Sequence, residues 1–121
     1  MSPAVAAYAL VFLGGGLGSC LRFALGRWAV GVGAAATWGT LLANVLACAL
    51  LGYLAAEFAR GWDPRHWRLL LATGFCGGFS TFSTFSLEAA ALFQSGRPGA
   101  AALYVGASLA LGLAAVMLWP R

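Results

Sequence analysis

Thirteen consecutive residues carry the chemistry of this chain: Gly74-Phe75-Cys76-Gly77-Gly78-Phe79-Ser80-Thr81-Phe82-Ser83-Thr84-Phe85-Ser86. Three are glycines, five bear hydroxyls, and Phe79, Phe82 and Phe85 recur every third residue. Hydroxyls both donate and accept hydrogen bonds, and a phenyl ring has a negative face and a positive edge. Glycine costs a helix about 1 kcal/mol per residue, so the segment is expected to unwind, exposing backbone groups. In apolar surroundings, unwound backbone persists only where protein, water or an ion satisfies it. Such a combination handles an ion or a small polar solute. Asn44, with Thr40 one turn before it, and the pair Tyr104 and Ser108 put further polar groups into apolar stretches. A buried amide is costly unless partnered, which makes Asn44 either pore lining or interhelical glue. Phe82 and Phe85 fall on one helical face, with Ser83 and Thr84 adjacent, and ring edges turned toward a narrow path favour an anion.

Bond-making chemistry is excluded by what is missing. The acids number three and the histidines one, so no Ser/His/Asp set or carboxylate pair can be assembled. Cys20, Cys48 and Cys76 lie in apolar stretches with unrelated neighbours and read as small packing residues rather than a metal motif. Gly14-Gly15-Gly16-Leu17-Gly18-Ser19 imitates a dinucleotide loop, but no strand precedes it, and Ala34-Ala35-Ala36 occupies the place of a ribose-binding acid. Its expected use is close helix packing through Gly14 and Gly18. Seven arginines give a net charge of +4, but they are scattered at the ends of apolar stretches, which argues against nucleic acid as a partner.

The elements that position these residues follow from composition. The chain is 62% hydrophobic and 8% charged, against about 25% charged residues in a soluble domain. Four apolar stretches, roughly Ala4–Leu25, Trp38–Phe58, Leu69–Phe93 and Ala100–Trp119, approach the roughly 20 residues needed to cross hydrocarbon. We read residues 1–121 as a single all-α membrane domain of four transmembrane helices, the third broken at Gly77–Ser80 and resuming over Phe82–Phe85. The N-terminus has no basic start and is expected to remain as the first span. All five tryptophans flank spans, Trp28 and Trp38 on one side and Trp62, Trp67 and Trp119 on the other, as expected at the lipid–water boundary.

Orientation is weakly specified. Arg60, Arg65, Arg68 and Arg121 fall on one side, and Arg22, Arg27 and Arg97 on the other. Orientation follows an excess of basic residues on the cytoplasmic side, and four against three supplies almost none. Both orientations are then expected to insert, and two inverted copies can pair about a two-fold axis in the membrane plane. Inverted symmetry of this kind is what many transporters build from internal repeats. Four short helices leave little internal room, so a pathway between two bundles is favoured. Arg22 and Glu88 fall at the same membrane side. Arg22 is expected to approach Glu88, to give a vestibule positive potential, or simply to snorkel to the interface.

The motifs GFCGGFSTFSTFSLE (Gly74–Glu88), GTLLAN (Gly39–Asn44) and GSCLR (Gly18–Arg22) resemble the small bacterial fluoride channels of the CrcB or Fluc family. The resemblance covers nearly the whole chain, including length and span count. It implies an antiparallel dual-topology homodimer in the bacterial cytoplasmic (inner) membrane, with two antiparallel pores that pass fluoride and reject chloride. It also implies a structural sodium ion at the dimer centre, held by main-chain carbonyls of Gly77 and Ser80 from both subunits. Pore-lining roles carry over to Asn44, Phe82 and Phe85, and also to Thr40, Ser83, Thr84, Tyr104 and Ser108. Gly112 stands where some relatives carry another hydroxyl, which implies a shorter polar track here. A small four-span multidrug transporter is the alternative. Such proteins need a carboxylate within the first span, and this first span has none.

Overall fold

The computed structural model describes residues 1–120. The chain is all-helical and crosses the apolar layer in four passes: α1 (Pro3–Gly31), α2 (Ala36–Ala59), an interrupted third pass, and α6 (Pro98–Met117). The third pass contains α3 (Arg65–Trp67), a π-helical stretch Arg68–Cys76, α4 (Gly77–Phe79) and α5 (Ser83–Gln94). Three helices, α1, α2 and α6, are long and apolar enough to span a membrane unaided. The chain is thus a multi-pass membrane protein.

Local signals fix the ends. Ser2 accepts a hydrogen bond from the Val5 N–H and Pro3 opens α1, because proline lacks only an N–H that the first turn leaves unpaired. No proline follows Leu25, and α1 runs through Gly26 to Gly31, six residues past the expected end. Gly96 closes α5 at φ +80°, where the Arg97 N–H reaches Leu92 O and the Gly96 N–H reaches Phe93 O. Only glycine takes that left-handed position without strain. Gly33 and Gly61 end α1 and α2 in the same way.

The interior is built from small residues. Ala43, Ala47 and Phe79 form the buried core, with Leu25 and Phe75 packed on it. Large side chains instead face outward, including Tyr8, Phe12, Leu103 and Met117. In lipid this inverted arrangement costs nothing, because tails are as apolar as leucine and close backbone approach supplies the packing. The tightest approach joins α1 to the third pass. A Cβ on Gly14 would lie 2.1 Å from Leu70 O, one on Gly18 2.3 Å from Phe75 O, and one on Gly78 2.3 Å from Gly15 O. The expected packing role of Gly14 and Gly18 is thus seen directly. By contrast Gly106 meets nothing within 4 Å. Of the cysteines, Cys76 is buried and Cys48 partly so, whereas Cys20 is exposed, so the expectation of three packing cysteines fails at Cys20 within one chain. Trp28, Trp38, Trp62 and Trp67 are exposed at helix ends. Trp119 turns inward, donating its Nε1–H to Ala49 O at 2.7 Å and packing edge-on against Tyr53.

Candidate functional site

The site is organised by the break in the third pass. The Ser80 N–H makes the last helical bond, to Cys76 O at 3.0 Å. Ser80 then turns extended, at φ −83° and ψ 158°, with its hydroxyl folded back on Cys76 O. The next N–H, that of Thr81, therefore misses Gly77 O. Asn44 receives it: Thr81 N–H donates to Oδ1 at 2.7 Å, and Nδ2–H donates to Thr81 O at 3.1 Å. One amide side chain thus satisfies both backbone groups of the residue at the break. Thr81 Oγ1 accepts the Thr84 N–H at 3.1 Å, which caps the restarting helix in the manner of an N-cap residue.

This corrects the expected position of the break. Gly77–Phe79 is helical, and the unwound residues are Ser80–Phe82. The resumed helix begins at Ser83, so Phe82 stands just before it. The physical reason is that Gly78 serves approach rather than unwinding: it lies against the Gly15 backbone, and that contact holds the segment helical. Unwinding begins one turn later, where Asn44 offers a substitute partner.

Displacing Phe82 from the helix also frees Gly78 O. Two donors from α1 fill the gap, Arg22 Nε–H at 3.2 Å and Ser19 Oγ–H at 3.4 Å. Both lie one turn or less beyond Gly18, so the glycine contact delivers them to the break. Arg22 makes no ion pair with Glu88; the only ion pairs among the described residues are Arg60–Glu57 and Arg68–Asp63. Glu88 instead accepts the Tyr104 O–H at 3.1 Å. Arg22 and Glu88 do share one recess of ≈ 570 Å³ with Thr40 and Thr84. The expected approach therefore holds at the level of a common cavity and fails as a pair.

A second recess of ≈ 260 Å³ gathers Asn44, Ser80, Thr81, Phe82, Phe85 and Ser108. The Phe82 and Phe85 rings are 6.0 Å apart, and Phe85 lies 5.2 Å from the Tyr104 ring. Tyr104 and Ser108 are successive turns of α6, so Tyr104 touches Phe85 on one side and reaches Glu88 of the first recess with its hydroxyl. Ser108 Oγ is buried and has no hydrogen-bond partner. An unmet buried hydroxyl costs about 1–3 kcal/mol, and Ser108 is among the residues lining this recess. Phe82 is 80% exposed on the single chain. Ser83 is exposed and its hydroxyl contacts only Thr81 Oγ1, at 3.3 Å. Gly77 is exposed, and its carbonyl has lost the Thr81 N–H that a continuous helix would supply.

Most residues singled out from the sequence thus fall into two recesses, with Ser83, Gly77 and Tyr104 outside their linings. Missed were Thr81, Ser19 and the Gly78 carbonyl. The Thr81–Thr84 spacing of a capping residue was a usable signal for the first. Ser19 and Arg22, three apart on one helical face, were a signal for the second. Nothing in the sequence marks a carbonyl as freed.

Comparison with known proteins agrees across the chain. The family model described as CrcB-like protein, Camphor Resistance (CrcB), matches residues 9–119. The protein named Fluoride-specific ion channel FluC from Rhizobium johnstonii is 48% identical over 110 residues, covering 89% of this chain and 88% of its own. The proteins of the same name from Methylobacterium nodulans and Thermus thermophilus are 47% and 46% identical, over 88% and 94% of this chain and 87% and 91% of their own.

Proposed function

The chain belongs to the CrcB family, and from that premise we propose that it is a fluoride-selective channel that lets fluoride leave the cell passively. Its relatives are named ion channels, and the chain is a channel rather than an enzyme. The observation that carries the reading is that Ser108, whose buried hydroxyl has no protein partner, lines one recess together with Phe82 and Phe85.

An anion entering low dielectric loses hydration worth tens of kcal/mol by Born estimates. Donors must replace the water. Ser108 Oγ–H is free to donate, and the rings of Phe82 and Phe85 offer positive edges. Arg22, lining the wider recess, contributes positive potential at its mouth. Asn44 has two tasks in this reading. Both ends of its amide engage Thr81, so it holds the break open and aims the neighbouring rings, and its second Nδ2–H is left over as a donor. Fluoride, being small, fits a constriction between the rings that chloride cannot enter. Fluoride trapped after hydrogen fluoride enters and dissociates would leave down its gradient through this path.

The functional unit in this reading is an antiparallel homodimer with two pores, inserted in the bacterial cytoplasmic membrane. Support comes from the near balance of arginines between the two sides and from Phe82, whose exposed ring has little of its own chain to rest on. A structural sodium ion is proposed at the dimer centre on the carbonyls of Gly77 and Ser80. The donor set fits: Gly77 O has lost its helical partner and Gly77 is exposed, Ser80 is extended, and carbonyl oxygens suit a hard cation. Bound there, the ion would offset inward-pointing carbonyl dipoles and join the halves.

Reconstitution in liposomes tests the function. Efflux followed with fluoride and chloride electrodes should show fluoride release and negligible chloride release. Folded protein that releases no fluoride would sink the reading, and equal chloride flux would sink the selectivity.

A further inference from the structure

We infer that the groove between the start of α2 and the start of α6 is a binding site for one anionic phospholipid, with an acyl chain in the groove and its phosphate on Arg97. The groove encloses ≈ 270 Å³, and apart from Thr37, Arg97 and Tyr104 its lining is apolar, including Trp38, Leu41, Leu103 and Ala107. It shares no lining residue with the Arg22–Glu88 recess or the Ser108 recess, and Tyr104 links it to the former only by its hydrogen bond to Glu88.

Depth identifies the occupant. From Arg97 at the head of α6 to Ala107 is ten residues, roughly 15 Å of helix. That is half of the roughly 30 Å hydrocarbon layer, the reach of one leaflet. The mouth sits at the boundary, marked by exposed Trp38 beside Thr37. A groove that starts at the interface and ends at mid-membrane matches a phospholipid acyl chain in shape.

Charge identifies the headgroup. Arg60 and Arg68 are bound to acids, Arg22 to a carbonyl, and Arg27 lies over the Phe23 ring. The Arg97 side chain has no hydrogen bond or ion pair among the described residues, and no acid lines its groove. The Gly96 turn and Pro98 at the first position of α6 fix its backbone, so the guanidinium is carried on a rigid corner. A guanidinium presents a planar fork that matches phosphate.

The experiment is native mass spectrometry of the full-length protein in detergent, with dioleoyl phosphatidylglycerol, dioleoyl phosphatidylcholine and glycerol 3-phosphate as separate probes. Phosphatidylglycerol should be retained about fivefold better than phosphatidylcholine, the gain from one interfacial cation. Arg97→Gln should remove that preference, and Arg65→Gln, which removes another side chain without a partner but away from the groove, should keep it. Leu103→Trp, filling the groove, should lower retention of both lipids, and glycerol 3-phosphate should not bind. Equal retention of the two lipids by the unaltered protein would overturn the inference. So would a preference that survives Arg97→Gln or is lost equally in Arg65→Gln. Disulfide cross-linking between copies through Leu103→Cys would assign the groove to a second copy instead. Each variant's fluoride efflux is recorded separately, so a failed lipid site is distinguishable from a failed channel.

Discussion

Gly18→Ala is the most telling single perturbation, because its cost is set by backbone atoms that cannot rotate away. The added Cβ would lie 2.3 Å from Phe75 O and 2.7 Å from Phe79 N, against 3.4–4 Å for ordinary contact. Helix α1 must therefore retreat from the third pass by about 1 Å or more. Arg22 Nε–H already reaches Gly78 O at 3.2 Å, and Ser19 Oγ–H at 3.4 Å. A retreat of that size carries both beyond hydrogen-bond range. Overpacking costs about 1–3 kcal/mol, and a lost bond from a charged donor about 1.5–3 kcal/mol. Alanine returns about 1 kcal/mol in helix propensity. The net loss is about 1.5–5 kcal/mol, and fluoride efflux should fall with it, because the freed Gly78 carbonyl lies at the break. The assay is equilibrium unfolding in mixed micelles followed by tryptophan fluorescence, paired with liposome efflux. Gly16→Ala is the control: it sits on the same helix with nothing within 4 Å of its Cβ, and it should be neutral or slightly stabilising. If Gly18→Ala matched Gly16→Ala in stability and efflux, the inferred contact between α1 and the break would be wrong.

Other substitutions separate holding the site from conducting through it. Asn44→Ala strips both partners from Thr81 and should cost about 1–3 kcal/mol for each backbone group left unpaired, with efflux falling alongside stability in the same two assays. Ser108→Ala should split those readouts. Stability should hold or rise, since an unpartnered buried hydroxyl is removed, while fluoride efflux drops about 10- to 150-fold, the rate equivalent of one hydrogen bond to an anion. An efflux rate equal to the unaltered protein would remove Ser108 from the pathway. Trp119→Phe deletes the bond to Ala49 O but keeps the ring against Tyr53; it should cost about 1 kcal/mol on unfolding and leave efflux unchanged.

The sequence alone determined the four passes, the broken third pass and most of the polar residues that gather at the break. Those follow from solvent and local chain chemistry. A stretch of some twenty apolar residues has few alternatives to a membrane helix, and glycines spaced by four mark where helices come close. Which residue unwinds was decided by tertiary structure. Gly77 and Gly78 have the weakest helical propensity in the segment, yet they stay helical, with Gly78 packed against the α1 backbone at Gly15. Ser80–Phe82 unwinds because Asn44, 37 residues away from Thr81, supplies the missing hydrogen bonds. The partners of Arg22 and Glu88 were decided the same way, by which backbone and side-chain groups the packed helices brought within reach. Propensity assigns each residue its own cost of leaving a helix, but the unwound residue is the one whose cost a distant side chain offsets, and that distance is set only by the fold.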